Sequence, residues 1–106
     1  MIRVYATEYI KICEFLEKTE GKAIKRKKRY IVSRKILEEL LRKNNYETVQ
    51  TKLRIWKSLG WLDAESKHYT KKVYLGESKK YHRMYVLNAD IYEVLREVTD
   101  AKTEEI

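Results

Sequence analysis

The chain has 106 residues, with 24 Lys/Arg against 16 Asp/Glu and one cysteine, Cys13. That length suits a single domain, expected over 1–100, whose core needs no staples. One cysteine excludes an internal disulfide, and no apolar run is long enough to span a membrane. Met1 to Ile12 holds no secretory apolar region, so a cytoplasmic protein without a membrane partner is expected. The charge is segregated. Residues 20–83 carry 19 Lys/Arg and 7 Asp/Glu, while the two ends carry 5 and 9. A localised basic surface is the electrostatic footprint of a polyanion binder.

In chain order, Tyr5, Tyr9, Ile12, Cys13 and Leu16 recur at helix spacing between charged residues. The spacing predicts an amphipathic helix over about 6–19, with Gly21 just past its end. Lys22 and Lys25 to Arg29 form a basic loop, and Tyr30, Ile31 and Val32 are a short run of strand formers. Ser33 is a helix cap, and Ile36, Leu37, Leu40 and Leu41 stripe a second helix over Arg34–Lys43. After the tight connection Lys43-Asn44-Asn45, a third helix is expected over 46–59, ended by Gly60. Its expected core residues are Val49, Leu53, Trp56 and Leu59.

Beyond Trp61 the pattern changes. H-Y-T-K-K-V-Y-L and K-Y-H-R-M-Y-V-L are strand-like and flank Gly76-Glu77-Ser78-Lys79, which predicts a hairpin. Both histidines, His68 and His82, fall in these expected strands. Asn88 then caps a fourth helix over 89–100 carrying Ile91, Leu95 and Val98, and 101–106 is expected as a frayed tail. The fold class is mainly α with a small β-hairpin, an α+β arrangement. Its order is helix, short strand, helix, helix, two-stranded hairpin, helix.

Two helices joined by a tight turn and followed by a hairpin make the winged helix-turn-helix arrangement. L-R-I-W-K-S-L-G-W-L resembles the end of a recognition helix entering a wing strand. K-K-Y-H-R-M-Y-V-L-N-A-D-I-Y-E-V-L resembles the second wing strand entering a C-terminal helix. Over nearly the whole chain the sequence is similar to small winged-helix regulators of the PadR and related archaeal or phage type. The resemblance implies a protein that reads DNA with its third helix.

The outer face of that helix carries residues suited to base edges. Arg pairs with guanine, Gln with adenine, and a Thr methyl meets thymine. Tyr46, Gln50, Thr51 and Arg54 are therefore the expected base contacts. Backbone contacts are expected from Lys25, Arg26, Lys27, Lys28 and Arg29 of the loop, from Arg34 and Lys57 of the helices, and from Lys71, Lys72, Lys79, Lys80 and Arg83 of the wing. Lys67 adds to the basic run leading into it.

The apolar faces of the first and fourth helices suggest a homodimer through Tyr5, Tyr9, Ile91, Leu95 and Val98. No histidine pair, second cysteine or glycine-rich loop supports catalysis, a metal or another cofactor. Double-stranded DNA is the expected partner and transcriptional regulation the expected role. A plasmid or viral partition or replication adaptor that coats a DNA site is the alternative, as is a winged-helix module that binds another protein.

Overall fold

The computed structural model describes residues 2–104, and side chains for residues 2–98. Helix α1 (Ile2–Lys18) begins earlier than its spacing predicts and buries Tyr9, Ile12, Cys13 and Leu16 as expected. Gly21 follows at φ 81°, a left-handed turn that glycine adopts without steric cost.

The basic run is not a loop. Strands β1 (Ile24–Arg26) and β2 (Arg29–Val32) pair antiparallel around the two-residue turn Lys27-Lys28. Both turn residues have positive φ, 45° and 63°. Such a turn normally signals itself by Asn or Gly, which is why the hairpin was hidden in a charge run. A left-handed lysine costs on the order of 1–2 kcal/mol. The double variant Lys27→Asn/Lys28→Gly is therefore expected to gain about 1–2 kcal/mol in urea unfolding. A loss of stability would contradict the turn.

Helix α2 (Arg34–Arg42) starts at Ser33, whose Oγ accepts the Ile36 N–H at 3.3 Å. It buries Leu37 and Leu41, with Ile36 and Leu40 half-buried. Helix α3 (Val49–Ser58) starts later than expected, because Thr48 caps it by accepting the Thr51 N–H at 3.1 Å. Tyr46 and Glu47 thus precede the helix. Leu53 and Trp56 are core residues and Val49 packs against them, as expected. Leu59 is a correction: it is 38% exposed. The helix has ended by then, and Gly60 at φ 78° swings Trp61 and Leu62 into the core instead.

The chain from Asp63 to Thr70 is irregular and includes His68, which lies outside any strand. Strands β3 (Lys71–Leu75) and β4 (Lys80–Asn88) form the expected hairpin. The four strands make one antiparallel sheet in the order β1-β2-β4-β3. Tyr30, Val32, Tyr85 and Leu87 belong to the main core, while Ile31, Val73 and Val86 form a second cluster on the other face. Helix α4 (Ala89–Glu104) continues through 101–104 of the expected tail, and 105–106 lie outside the described residues. Asn88 does not act as the expected cap; its side-chain amide donates to the Gly60 carbonyl at 3.0 Å.

Tyr9 sits at the centre, edge-on to Trp56 at 4.8 Å and tilted against Trp61 at 5.3 Å. Its hydroxyl donates to the Trp61 carbonyl at 2.7 Å and accepts the Asn88 N–H at 2.9 Å. One side chain thereby ties α1 to both ends of the wing. Cys13 beside it is fully buried, and desolvation pushes its thiol well above the ordinary range. Burial, reinforced by hydrogen bonds to carboxylates, also raises the phenols of Tyr30, Tyr46 and Tyr85; burial alone is the main cause at Tyr9.

Unfolded, these groups lose protons near pH ~9–10; folded, they keep them. Their contribution to stability is complete below that range and is lost progressively as pH rises from it toward the higher folded values. Melting temperature should therefore fall between pH ~9 and ~11. A thiol reagent should label Cys13 only when the chain unfolds, whereas rapid labelling of folded protein would contradict its burial.

Candidate nucleic-acid interface

The turn between α2 and α3 is fixed by a buried charge pair. The Lys52 ammonium is wholly buried and donates to the Leu41 carbonyl (2.7 Å), the Asn44 carbonyl (2.7 Å) and the Glu8 carboxylate (3.0 Å). Glu8, itself 4% exposed, also accepts from the Asn44 amide and the Tyr46 hydroxyl. The ammonium lies 4.3 Å from the Tyr46 ring centre. Every donor of Lys52 thus has an acceptor, which a buried cation requires. The pair joins α1, the end of α2, the turn and α3, so it sets the angle at which α3 is presented.

Tyr46 is part of this hub. It was expected on the reading face, but its hydroxyl is held by Glu8 and its ring packs edge-on against Tyr5 at 5.4 Å. The outward face of α3 belongs to the other three expected residues. Gln50 and Arg54 are exposed, and Thr51 is half-buried. The Thr51 hydroxyl accepts from the Thr48 hydroxyl at 2.9 Å, which ties it to the cap. Among the described residues Arg54 makes no hydrogen bond or ion pair. It lines a shallow concavity with Lys57, Ser58, Lys67 and Tyr69. Three of its five lining residues are cationic, Arg54, Lys57 and Lys67.

The expected backbone cations divide into engaged and free. Lys57 donates to the Glu65 and His68 carbonyls at 3.1 and 2.7 Å, so it secures the loop before the wing. Asp63 takes both Arg29 (3.0 Å) and Lys71 (3.2 Å), and Glu65 takes Arg83 (2.8 Å). Arg34 lies 3.8 Å from Glu38. These pairs are partly exposed, and such surface pairs contribute little and can exchange for phosphate. Lys72 and the hairpin-tip residues Lys79 and Lys80 are exposed with no partner among the described residues.

The β1–β2 hairpin is held from the opposite side, by α1 and α4. Lys25 donates to the Glu17 carbonyl (2.8 Å), Lys28 lies 3.7 Å from Asp90, and the Ala89 N–H reaches the Lys28 carbonyl (2.8 Å). Arg26 crosses to the Tyr74 carbonyl at 3.3 Å, and the exposed Lys27 side chain has no partner among the described residues.

Among the expected dimer residues, Tyr9 is a correction, because it is fully buried in its own core. Tyr5, Ile91 and Leu95 are half-buried against that core, and Val98 is 52% exposed. Val94, one helical turn earlier, is 56% exposed. His82 shares a 2.8 Å hydrogen bond with Ser78 at the wing tip. No group of three metal-ligating side chains occurs among the described residues, and no helix there is long and apolar enough to cross a membrane.

Sequence reasoning missed Glu8, Asn44 and Lys52. A signal existed. On a helical wheel Lys52 falls between Trp56 and Leu59, within the arc assigned to the core. A lysine there must be either out of register or paired.

No curated protein matches the chain. A family model does, over residues 5–91, a span holding α1, both hairpins, the α2–α3 pair and the start of α4. The match carries the helix-turn-helix assignment but not the narrower PadR resemblance. With a capped pair of helices, a hub that fixes their angle and a four-stranded sheet behind them, the chain belongs to the Cch helix-turn-helix domain family, a DNA-binding type of module.

Proposed function

We propose that this protein binds double-stranded DNA sequence-specifically and regulates transcription. Helix α3 enters the major groove, which accepts a helix of this diameter. Arg54 and Gln50 read base edges, with Thr51 beside them. Lys67, Lys72, Lys79 and Lys80 neutralise phosphates alongside, and Arg83 and Lys71 join them by leaving the half-buried Glu65 and Asp63. The observation that carries this reading is the unengaged Arg54 on a helix whose angle is locked by the Lys52 hub.

A homodimer through the exposed Val94 and Val98 of α4 would place two such helices on a two-fold site. Selection of binding sites from random duplex, followed by footprinting at rising protein concentration, tests the proposal. A bounded palindromic footprint is expected. A footprint that extends with concentration would mean a site-coating adaptor for partition or replication. Failure to enrich any sequence would remove the specific-reading role.

A further inference from the structure

We propose that the groove between the edge strands β1 and β3, on the sheet face away from the helices, receives an acidic extended peptide segment by strand addition. The sheet is curled, and its two edges face each other. Arg26 of β1 spans the opening and donates to the Tyr74 carbonyl of β3 at 3.3 Å. β1 and β3 are the two ends of the strand order, so each presents an unpaired edge to this opening. The Tyr74 carbonyl is a β-edge acceptor now held by a side chain, and a peptide N–H is its natural replacement.

The floor is apolar: Ile31, Val73 and Val86 are buried, with Ile24, Leu75 and Met84 half-buried around them. A strand laid here buries every second side chain on that floor and leaves the others at the rim. The rim is cationic at one end, where Arg26, Lys27, Arg29, Lys71 and Lys72 line the opening and only Asp63 offsets them. At the other end Glu77 and His82 line it. The complementary ligand alternates apolar and acidic residues, with its acidic portion toward Lys27 and Lys72.

The apolar floor of Ile31, Val73 and Val86 offers phosphate nothing. Tyr74 and Tyr81, the aromatic pair of the wing, pack edge-on against each other, and by strand alternation Tyr74 lies opposite Val73 and meets the groove through its carbonyl. Gln50 and Arg54 of α3 do not line this groove, so the site does not depend on base reading by that helix.

The test uses the full chain and a fluorescein-labelled octapeptide of alternating Glu and Val, read by anisotropy. Two control peptides accompany it: alternating Lys and Val, and the Glu-Val peptide N-methylated at every second residue. The Glu-Val peptide is expected to bind at least tenfold tighter than either control. Val73→Lys and the milder Ile24→Glu should each weaken it at least tenfold, with circular dichroism confirming the fold. Arg54→Ala should leave peptide binding unchanged, which separates this site from the DNA surface. Equal binding of the N-methylated peptide would overturn strand addition. No preference for Glu-Val over Lys-Val would overturn the acidic-peptide assignment.

Discussion

Replacing Lys52 with methionine is expected to destabilise the fold by about 3–5 kcal/mol, the typical cost of stranding one member of a buried ion pair. Methionine keeps the length of the stem, so the effect isolates the charge. Glu8 would remain buried with only the Asn44 amide and the Tyr46 hydroxyl as donors. The Leu41 and Asn44 carbonyls would lose their donor as well. For a domain of this size the melting temperature should fall by on the order of 15 °C or more.

The double variant Glu8→Leu/Lys52→Met removes both charges, and its loss should be well below the sum of the two single losses. Urea unfolding of all four proteins gives the coupling directly. A single-variant loss under about 1 kcal/mol, or additive losses, would show that the pair is not the hub described. Specific DNA affinity should fall along with stability in the single variant, because the turn that aims α3 loses its tie.

The second large effect concerns Arg54. Arg54→Ala should weaken binding to the selected site by about 1–3 kcal/mol, the usual discrimination of a bidentate base contact, and change random-duplex affinity little. Lys72→Ala should weaken both DNAs alike, since a phosphate contact carries no sequence information. Neither residue has a partner among the described residues, so stability should be unchanged in both variants. Equal losses on the two DNAs for Arg54→Ala would move that residue from reading to backbone contact.

Much of this fold was legible because helix caps and apolar stripes are local signals. Ser33, Leu37 and Leu41 announced α2, and Gly60 announced the end of α3. The β1–β2 hairpin was not legible, because its turn uses two lysines in backbone conformations they rarely adopt. The start of α3 moved because Thr48, inside the expected 46–59 span, supplies the cap. Tyr46 and Lys52 could not be placed by pattern alone. Their partner Glu8 lies 44 residues from Lys52, and sequence spacing says nothing about contacts that distant. Arg54 and Gln50 were legible as outward residues of α3, since the positions of Leu53 and Trp56 leave them no other face.

The segregated charge in the sequence resolves into two surfaces that share Lys71 and Lys72: cations beside α3 and along the wing, and a set around the β1–β3 groove. The first carries the proposal that this chain holds duplex DNA through phosphates and reads it through α3. The most direct measurement is an anisotropy titration of random duplex, the selected duplex, single-stranded DNA and RNA, each at low and moderate salt. The account predicts that duplex affinity falls steeply, by a log–log slope of about −0.9 per phosphate neutralised, with the selected duplex bound most tightly at both salts. Duplex affinity that barely changes with salt, or RNA or single strand bound in preference to duplex, would contradict it.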